Sequence, residues 1–459
     1  MSGHILSNKV ISFFLAYIIL FSSCEDKMDS EEQENLSETA LINSWIENTM
    51  SIYYLWEDEL PITSDLEQDP EDFFDGLIVD QDRFSRIFPD YDELIASLSG
   101  VNIEAGYELS LVTPDNIEVI GIVTYIKSNP ASPASLAGLQ RGDVISEINN
   151  QTMTVSNYRD VLGQLDESHS ISYARYNSDL GELEDLGTMS ISVEEYEENP
   201  HFLDTIYNVG NRKVGYYVYN FFSGPDFNDQ MDQIISDFGN ENIDDLIIDF
   251  RYNSGGYISA ATNLASLIGS NISSNDIYFE YEYNELIQSD IEPGDNQQNF
   301  IAKAENIGHI LDGQLYIIVG SNTASASELV INGLNPFMQV TLVGDTTIGK
   351  NVGSIAIDDE NNENNTYGML PIVFYISNSV GFRDYASGFS PDLQNVVNEL
   401  TLPMFELGDV REELLSHTLN IISGNDIVAK RKNSPYLKFV GSSLEKKSIY
   451  GHLLKDNMK

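Results

Sequence analysis

Apolar positions between about residues 40 and 99 recur at helical spacing. Leu41, Trp45, Met50, Tyr54 and Trp56 mark one helix, and Phe73, Phe74, Leu77 and Ile78 a second. Together they predict a small helical cap built on aromatic anchors. Beyond residue 100 the pattern changes to short strands around one helix. A strand is predicted over 117–123, then the segment 132–139, then the Arg141-Gly142-Asp143 turn leading towards Ile148. Gly138 and Gly142 fall where a helix end and a turn call for positive φ. From about 196 to 425 strands and helices alternate. Strands are expected over 214–222, 246–250, 315–319, 340–343 and 372–376, and helices over 227–238 and through Leu264 and Leu267. Buried strands that each end in a turn and a helix predict a layered α/β domain. No solenoid repeat is present.

The chain start has a different logic. Lys9 precedes an apolar run over 10–21, too short to span a bilayer and shaped like the core of a signal peptide. It closes on Leu20-Phe21-Ser22-Ser23-Cys24, which resembles a bacterial lipobox, with Cys24 the expected site of lipid attachment. An ordinary signal peptide with a chance cysteine is the plainer reading. The acidic stretch after Cys24 reads as a tether. As Cys24 is the only cysteine, no internal disulfide can form. The expected division is signal peptide 1–23, acidic tether 24–39, helical cap 40–100, a strand-rich unit 101–195, an α/β domain 196–425 and a basic tail 426–459.

Charge narrows the partners. Seventy-three acids against 23 bases give a net charge of −50, which repels phosphates and argues against nucleic acid. The acidity itself reads as solubility in a salty medium. Residues 430–459 reverse the sign, with eight Lys and Arg against Glu445 and Asp456. That tail is expected to be a solvated end, or else to contact the acidic body or an anionic membrane.

Candidate chemistry centres on Thr323-Ala324-Ser325-Ala326-Ser327-Glu328. A serine at a strand-to-helix turn exposes its hydroxyl beside the positive end of the helix, where an oxyanion is stabilised. The same residues fit a capping box, with Ser325 as the cap and Glu328 three residues on. A nucleophilic serine needs a base. None of the six histidines (His4, His169, His201, His309, His417, His452) sits in a motif that suggests one, with His309 a distant candidate. Lys350 follows the strand predicted at 340–343, and chain reversal could return it to Ser325. It can act only when neutral, which requires burial to lower a pKa of about 10.4 by roughly three units, worth about 4 kcal/mol.

Three motifs in order make the pattern recognisable. The serine run, a Gly349-Lys350 step 25 residues after Ser325, and Asp249-Phe250-Arg251-Tyr252-Asn253-Ser254-Gly255-Gly256 resemble the C-terminal processing peptidases, or tail-specific proteases. The resemblance implies a serine peptidase with the layered fold of crotonase and Clp-type proteases. It makes Ser325 the nucleophile and Lys350 the base, and gives the oxyanion hole to Gly255 or Gly256 with the Ala326 N–H. Many members carry glutamine four residues after the lysine. Here that position is Ser354, so Ser354 or Asn351 is expected to orient the amine. The 101–195 unit resembles a PDZ domain, which would take a peptide as an added strand and clasp its carboxylate on the Gly106-Tyr107-Glu108-Leu109 loop. Glu108 places a negative charge in that loop.

The expected activity is peptide-bond hydrolysis on peptides or unfolded exported proteins, near their C-termini, in the bacterial cell envelope, periplasmic or surface-exposed. No metal or organic cofactor is implied, since no H-E-x-x-H, cysteine cluster or phosphate loop occurs. The alternatives are an inactive scaffold that binds peptides through the PDZ-like unit, and an esterase or transacylase using the same pair.

Overall fold

A computed structural model describes residues 36–62, 65–424, 437–448 and 450–455. The signal-like run, Cys24 and most of the acidic tether lie outside the described residues. Among the described residues no helix is long and apolar enough to cross a membrane.

The cap holds helices Glu38–Tyr53, Pro70–Leu77 and Tyr91–Leu98, N-capped by the side chains of Ser37, Asp69 and Asp90. Ile42, Ile46, Met50 and Tyr54 pack on Phe73, Phe74, Leu77 and Met369. Trp56 falls outside the first helix, where helical spacing had placed it. The Leu55 N–H donates to the Ile372 carbonyl at 2.8 Å, and the chain leaves the helix at Tyr54 in an extended conformation.

The next unit is a sheet in the order Tyr107–Thr113, Ile120–Ile126, Val144–Ile148, His169–Asn177, Glu182–Ile191, all antiparallel. Leu109, Leu111, Val123, Ile145, Ile148, Val161 and Ile171 form its core. Ser132 caps the helix Pro133–Ala137, and Gly138 ends it at φ 85°. The strand expected from 117 starts at Ile120. The Asp115 carboxylate accepts the N–H groups of Ile117 and Glu118, and Asn116 turns the chain at φ 64°.

The largest unit is layered. A five-stranded sheet runs His201–Val209, Arg212–Tyr219, Asp245–Asp249, Gln314–Val319, Gln339–Gly344, parallel after its first pair. Alternation along the strands feeds two cores. Tyr216, Val218, Ile247 and Ile318 face Leu414, Leu415 and Leu419 of helix Glu413–Ile422. Tyr217, Tyr219, Ile248 and Ile317 face helices Asn228–Asn240, Ile258–Ile268 and Ala326–Leu334. A second sheet, Gly256–Tyr257, Leu453–Leu454, Val352–Ser354, Ile372–Asn378, Ile277–Tyr283, Gln297–Asn299, contributes to the same core.

Where it is described, at residues 437–448 and 450–455, the basic tail is not a solvated end. Lys438–Ser442 is a strand on the free edge of Tyr107–Thr113, and Leu453–Leu454 is a strand of the second sheet. Of the expectations for this tail, contact with the acidic body is found at these residues, and backbone pairing accompanies the charge.

Candidate active site

Three loops converge at the carboxyl ends of three neighbouring parallel strands, Asp245–Asp249, Gln314–Val319 and Gln339–Gly344, where open α/β sheets hold ligands. The first carries Gly255 and Gly256, the second Ser325, the third Lys350.

Backbone contacts fasten the first loop to the second. The Thr323 hydroxyl donates to the Phe250 carbonyl at 2.7 Å, and the Asn253 carbonyl accepts from the Ala324 N–H and the Ser327 hydroxyl. Ser325 sits at the N-cap of helix Ala326–Leu334, fully buried, at φ 62° and ψ −113°. A non-glycine residue held there stores about 1–3 kcal/mol of strain, tolerated only where the surroundings dictate it. The Ser325 N–H donates to Glu328 at 2.7 Å, but the Ser325 Oγ has no hydrogen-bond partner among the described residues. The hydroxyl is therefore not spent on the cap.

Glu328 ties the second loop to the third. Its Oε2 accepts from the N–H groups of Ser325 and Lys350, at 2.7 and 2.8 Å. Its Oε1 accepts from the Gly349 N–H and the Thr347 hydroxyl. Burial pushes this carboxyl up, and those donors oppose the shift. In the sequence Glu328 reads only as the partner in a capping box. Its second task, gripping the lysine loop, is a contact across 22 residues that no local pattern announces.

Lys350 is fully buried. Burial pushes its amine well below the ordinary lysine value. Asp82 and Glu328 oppose this, and Arg86 and Arg83 reinforce it. Its Nζ lies 4.8 Å above the Phe84 ring and 3.4 Å from the His452 Nδ1. Arg83 from the same cap segment donates to the Gly349 carbonyl at 2.8 Å. Residues 82–86 and His452 complete the lysine pocket, and sequence reasoning assigned none of them to it. The expected orienters of the amine do not hold it. The Asn351 side chain donates instead to the Arg383 carbonyl at 2.8 Å, and the buried Ser354 Oγ has no hydrogen-bond partner among the described residues.

Both glycines of the turn have positive φ, 118° at Gly255 and 131° at Gly256. A methyl on Gly255 would meet the His452 carbonyl oxygen at 2.6 Å and the Ser325 Cβ and Oγ at 2.6 and 2.9 Å. The turn thus stands between Ser325 and the tail. The Gly255 N–H donates to the Asn253 side chain at 3.0 Å, and the Gly256 N–H to the His452 carbonyl at 2.8 Å. The Ala326 N–H is among the first of its helix, which lack partners within the helix.

The Gly106–Leu109 loop lies apart from this centre. Gly106 adopts φ 80° with Ser132 against it, and the buried Glu108 carboxylate takes the Ser443 hydroxyl at 2.6 Å and Lys447 at 2.7 Å. The Leu109 N–H donates to the Ser443 Oγ at 2.8 Å. The loop expected to clasp a free carboxylate is occupied by the chain's own tail.

A buried salt-bridge cluster backs the glycine turn. Arg251 pairs with Asp249 at 2.7 Å, Glu412 at 2.6 Å and Glu399 at 3.1 Å. Arg141, from the PDZ-like unit, reaches the same Glu412 and Glu399 at 3.7 and 3.8 Å.

Comparison with known proteins agrees with this layout. The profile of peptidase family S41 matches residues 213–393, that of the S41 N-terminal domain residues 41–86, and a PDZ-domain profile residues 126–175. A carboxyl-terminal-processing protease of Picosynechococcus sp. is 22% identical over 315 residues, covering 68% of this chain and 65% of that protein. The carboxy-terminal processing protease CtpB of Bacillus subtilis is 24% identical over 263 residues, 56% of this chain and 48% of that one. The chain thus spans between about half and two thirds of the length of these relatives. The crystal structure of a candidate S41 protease from Bacteroides fragilis superposes with a TM-score of 0.67 at 26% identity, over 83% of this chain and 97% of that one. The three profiles lie in this order on one layered α/β fold, so residues 213–393 match peptidase family S41, with an S41-type N-terminal domain and a PDZ domain before them.

Proposed function

We propose that this chain is a serine peptidase that hydrolyses peptide bonds by acyl transfer, with Ser325 as nucleophile and Lys350 as base. The observation that carries the reading is the pairing of a strained, unpartnered, buried hydroxyl with a buried amine whose charge burial disfavours, both fastened by backbone to one carboxylate, Glu328. The neutral amine takes the proton of Ser325 as Oγ bonds to the scissile carbonyl carbon. It returns that proton to the leaving amine as the peptide bond breaks. Water then repeats the cycle on the acyl-enzyme. The carbonyl oxygen, negative in the tetrahedral intermediate, is held by the Gly256 or Gly255 N–H and the Ala326 N–H. Support for the Gly256 role comes from its N–H, which already holds a peptide carbonyl, that of His452. For the reaction, Lys350 turns from His452 to Ser325.

The substrates on this reading are peptides and unfolded exported proteins, cut near their C-termini. The lipobox-like Cys24 anchors the enzyme to the bacterial cell envelope. Replacing Cys24 by serine should abolish incorporation of labelled fatty acid into the exported protein, and undiminished labelling would remove the anchor. For the reaction itself, unstructured casein is incubated with the wild type and with Ser325→Ala between pH 6 and 10. Cleavage by the wild type alone is expected. Equal inertness of both would favour a peptide-binding scaffold, the reading for which the unbonded Ser325 hydroxyl speaks.

A further inference from the structure

One segment of the chain enters both places a polypeptide substrate would need. At the PDZ-like unit, Lys438–Ser442 runs antiparallel to Tyr107–Thr113, pairing Lys438 with Thr113, Phe439 with Val112, Gly441 with Leu111 and Ser442 with Ser110. The other edge of Tyr107–Thr113 is taken by Ile120–Ile126, so this strand fills the edge left open for an added peptide. Val440 packs on the core of the unit, and Lys446 donates to the Leu162 carbonyl of helix Tyr158–Gly163 at 2.9 Å.

A charge latch follows. Lys447 lies 2.7 Å from Glu108, 3.3 Å from Glu198 and 3.8 Å from Glu104. Burial alone would lower the Lys447 pKa, but these three carboxylates raise it well above the usual value. Lys127 is the second cation of the cluster. Three carboxylates therefore share two lysines, and one of the two belongs to the tail.

Further on, the same segment enters the catalytic cleft. Leu453–Leu454 pairs in parallel with Gly256–Tyr257, and Leu454 also pairs with Ser354. The Lys455 N–H donates to the Ser354 carbonyl at 3.0 Å, the His452 carbonyl accepts from the Gly256 N–H, and the His452 ring faces the Lys350 amine. Leu453 and Leu454 are almost fully buried.

We propose that residues 438–448 and 450–455 are a built-in ligand that fills the PDZ edge and the catalytic cleft together and shuts both to other polypeptides. This rests on the peptidase reading for the meaning of the cleft, but the occupancy stands independently of it. Because the ligand is tethered, its effective concentration is on the order of millimolar, enough for modest contacts to exclude competitors. What opens the enzyme is whatever competes for the strand edge or the lysine latch. A partner of that kind is an extended polypeptide presenting a cation to Glu104, Glu108 and Glu198.

The test cuts the tail from folded protein. A specific protease site inserted within residues 425–436 is cleaved, and the cut and uncut Ser325→Ala proteins are titrated with a fluorescent peptide of residues 437–455. The cut protein should keep its circular dichroism, lose the tail on dilution and bind the peptide. The uncut protein should not bind it. In the protein with Ser325 intact, cutting should raise casein hydrolysis by about tenfold or more, matching a closed fraction of nine-tenths or above, and excess peptide should reverse the gain. The uncut Lys447→Glu chain should show a smaller rise of the same sign. Unfolding on cutting, failure of the peptide to bind, or measurable hydrolysis that is equal in the uncut, cut and Lys447→Glu proteins would overturn the proposal. Peptide binding without hydrolysis in any form would leave the occupancy standing and remove the peptidase reading instead.

Discussion

Lys350 Nζ lies 3.4 Å from His452 Nδ1, across 102 residues of chain, while the Ser325 hydroxyl beside the same glycine turn has no hydrogen-bond partner among the described residues. The buried amine faces an imidazole from the tail. Both groups are pushed towards their neutral forms, Lys350 by burial and His452 by burial and the nearby Lys350 and Arg86. On the proposed reading, this contact joins the chemistry to its control.

Acid should open the tail. The docked His452 titrates well below its ordinary value of 6.5, so an undocked tail binds a proton that the docked tail refuses. Release should therefore grow by about tenfold per pH unit as pH falls below about 6.5, until the docked value is reached. Binding of the fluorescent tail peptide to cut protein, measured from pH 8 to 5, should weaken along that slope in the wild-type peptide and stay flat in a His452→Phe peptide. Equal slopes would contradict the assignment.

Glu328 should matter to rate well beyond its role as a helix cap. Glu328→Gln replaces one acceptor oxygen by a donor amide, facing N–H groups that already point at it. The loops of Ser325 and Lys350 lose their common anchor, and displacement by about 1 Å costs about 10²-fold in rate. A fall of that size in kcat, with KM little changed, is expected from casein-derived peptide assays.

Strain at Ser325 gives a signature that activity alone would not reveal. Ser325→Ala and Ser325→Gly should both be inactive, but only glycine relaxes the φ of 62°. The glycine variant should be the more stable of the two by about 1–3 kcal/mol in urea denaturation. Equal stabilities would mean that the backbone there is not strained.

The buried cluster behind the glycine turn predicts an acid limit. Burial would raise the Glu412 carboxyl, but Arg251 and Arg141 hold it down at about 2, against an ordinary 4.5. Its contribution is therefore complete above pH 4.5 and is lost as pH falls towards 2. Glu412→Gln should flatten the stability profile in that window. Arg251→Met leaves Asp249 and Glu412 buried without their main cation and should cost about 3–5 kcal/mol.

Sequence made the placement of the candidate residues more legible than that of their surroundings. Ser325, Gly255–Gly256 and Lys350 were legible because each ends a buried strand and lies in a short motif at fixed spacing. The helix Pro133–Ala137 was legible from Ser132, Pro133 and Gly138, whose backbone preferences act locally. Phe84, Arg83 and His452 were not, since their part in the lysine pocket depends on contacts between segments far apart in the chain. The strand Lys438–Ser442 was hidden for another reason. Beside a run of bases it reads as solvated chain, and what makes it a strand is the row of N–H and C=O groups on the edge of Tyr107–Thr113. Ser354 misled in the opposite sense, since it holds a familiar position but its Oγ makes no hydrogen bond.

The central claim is that the neutral amine of Lys350 takes the proton from Ser325. The most direct measurement is kcat/KM for peptide hydrolysis by tail-cut protein, with Lys350 intact and as Lys350→Ala, across pH 6 to 10. The account predicts a rise with pH that is complete well below 10.5 in the first and a loss of about 10²–10⁴-fold in the second. Full-speed cleavage by folded Lys350→Ala protein would contradict it.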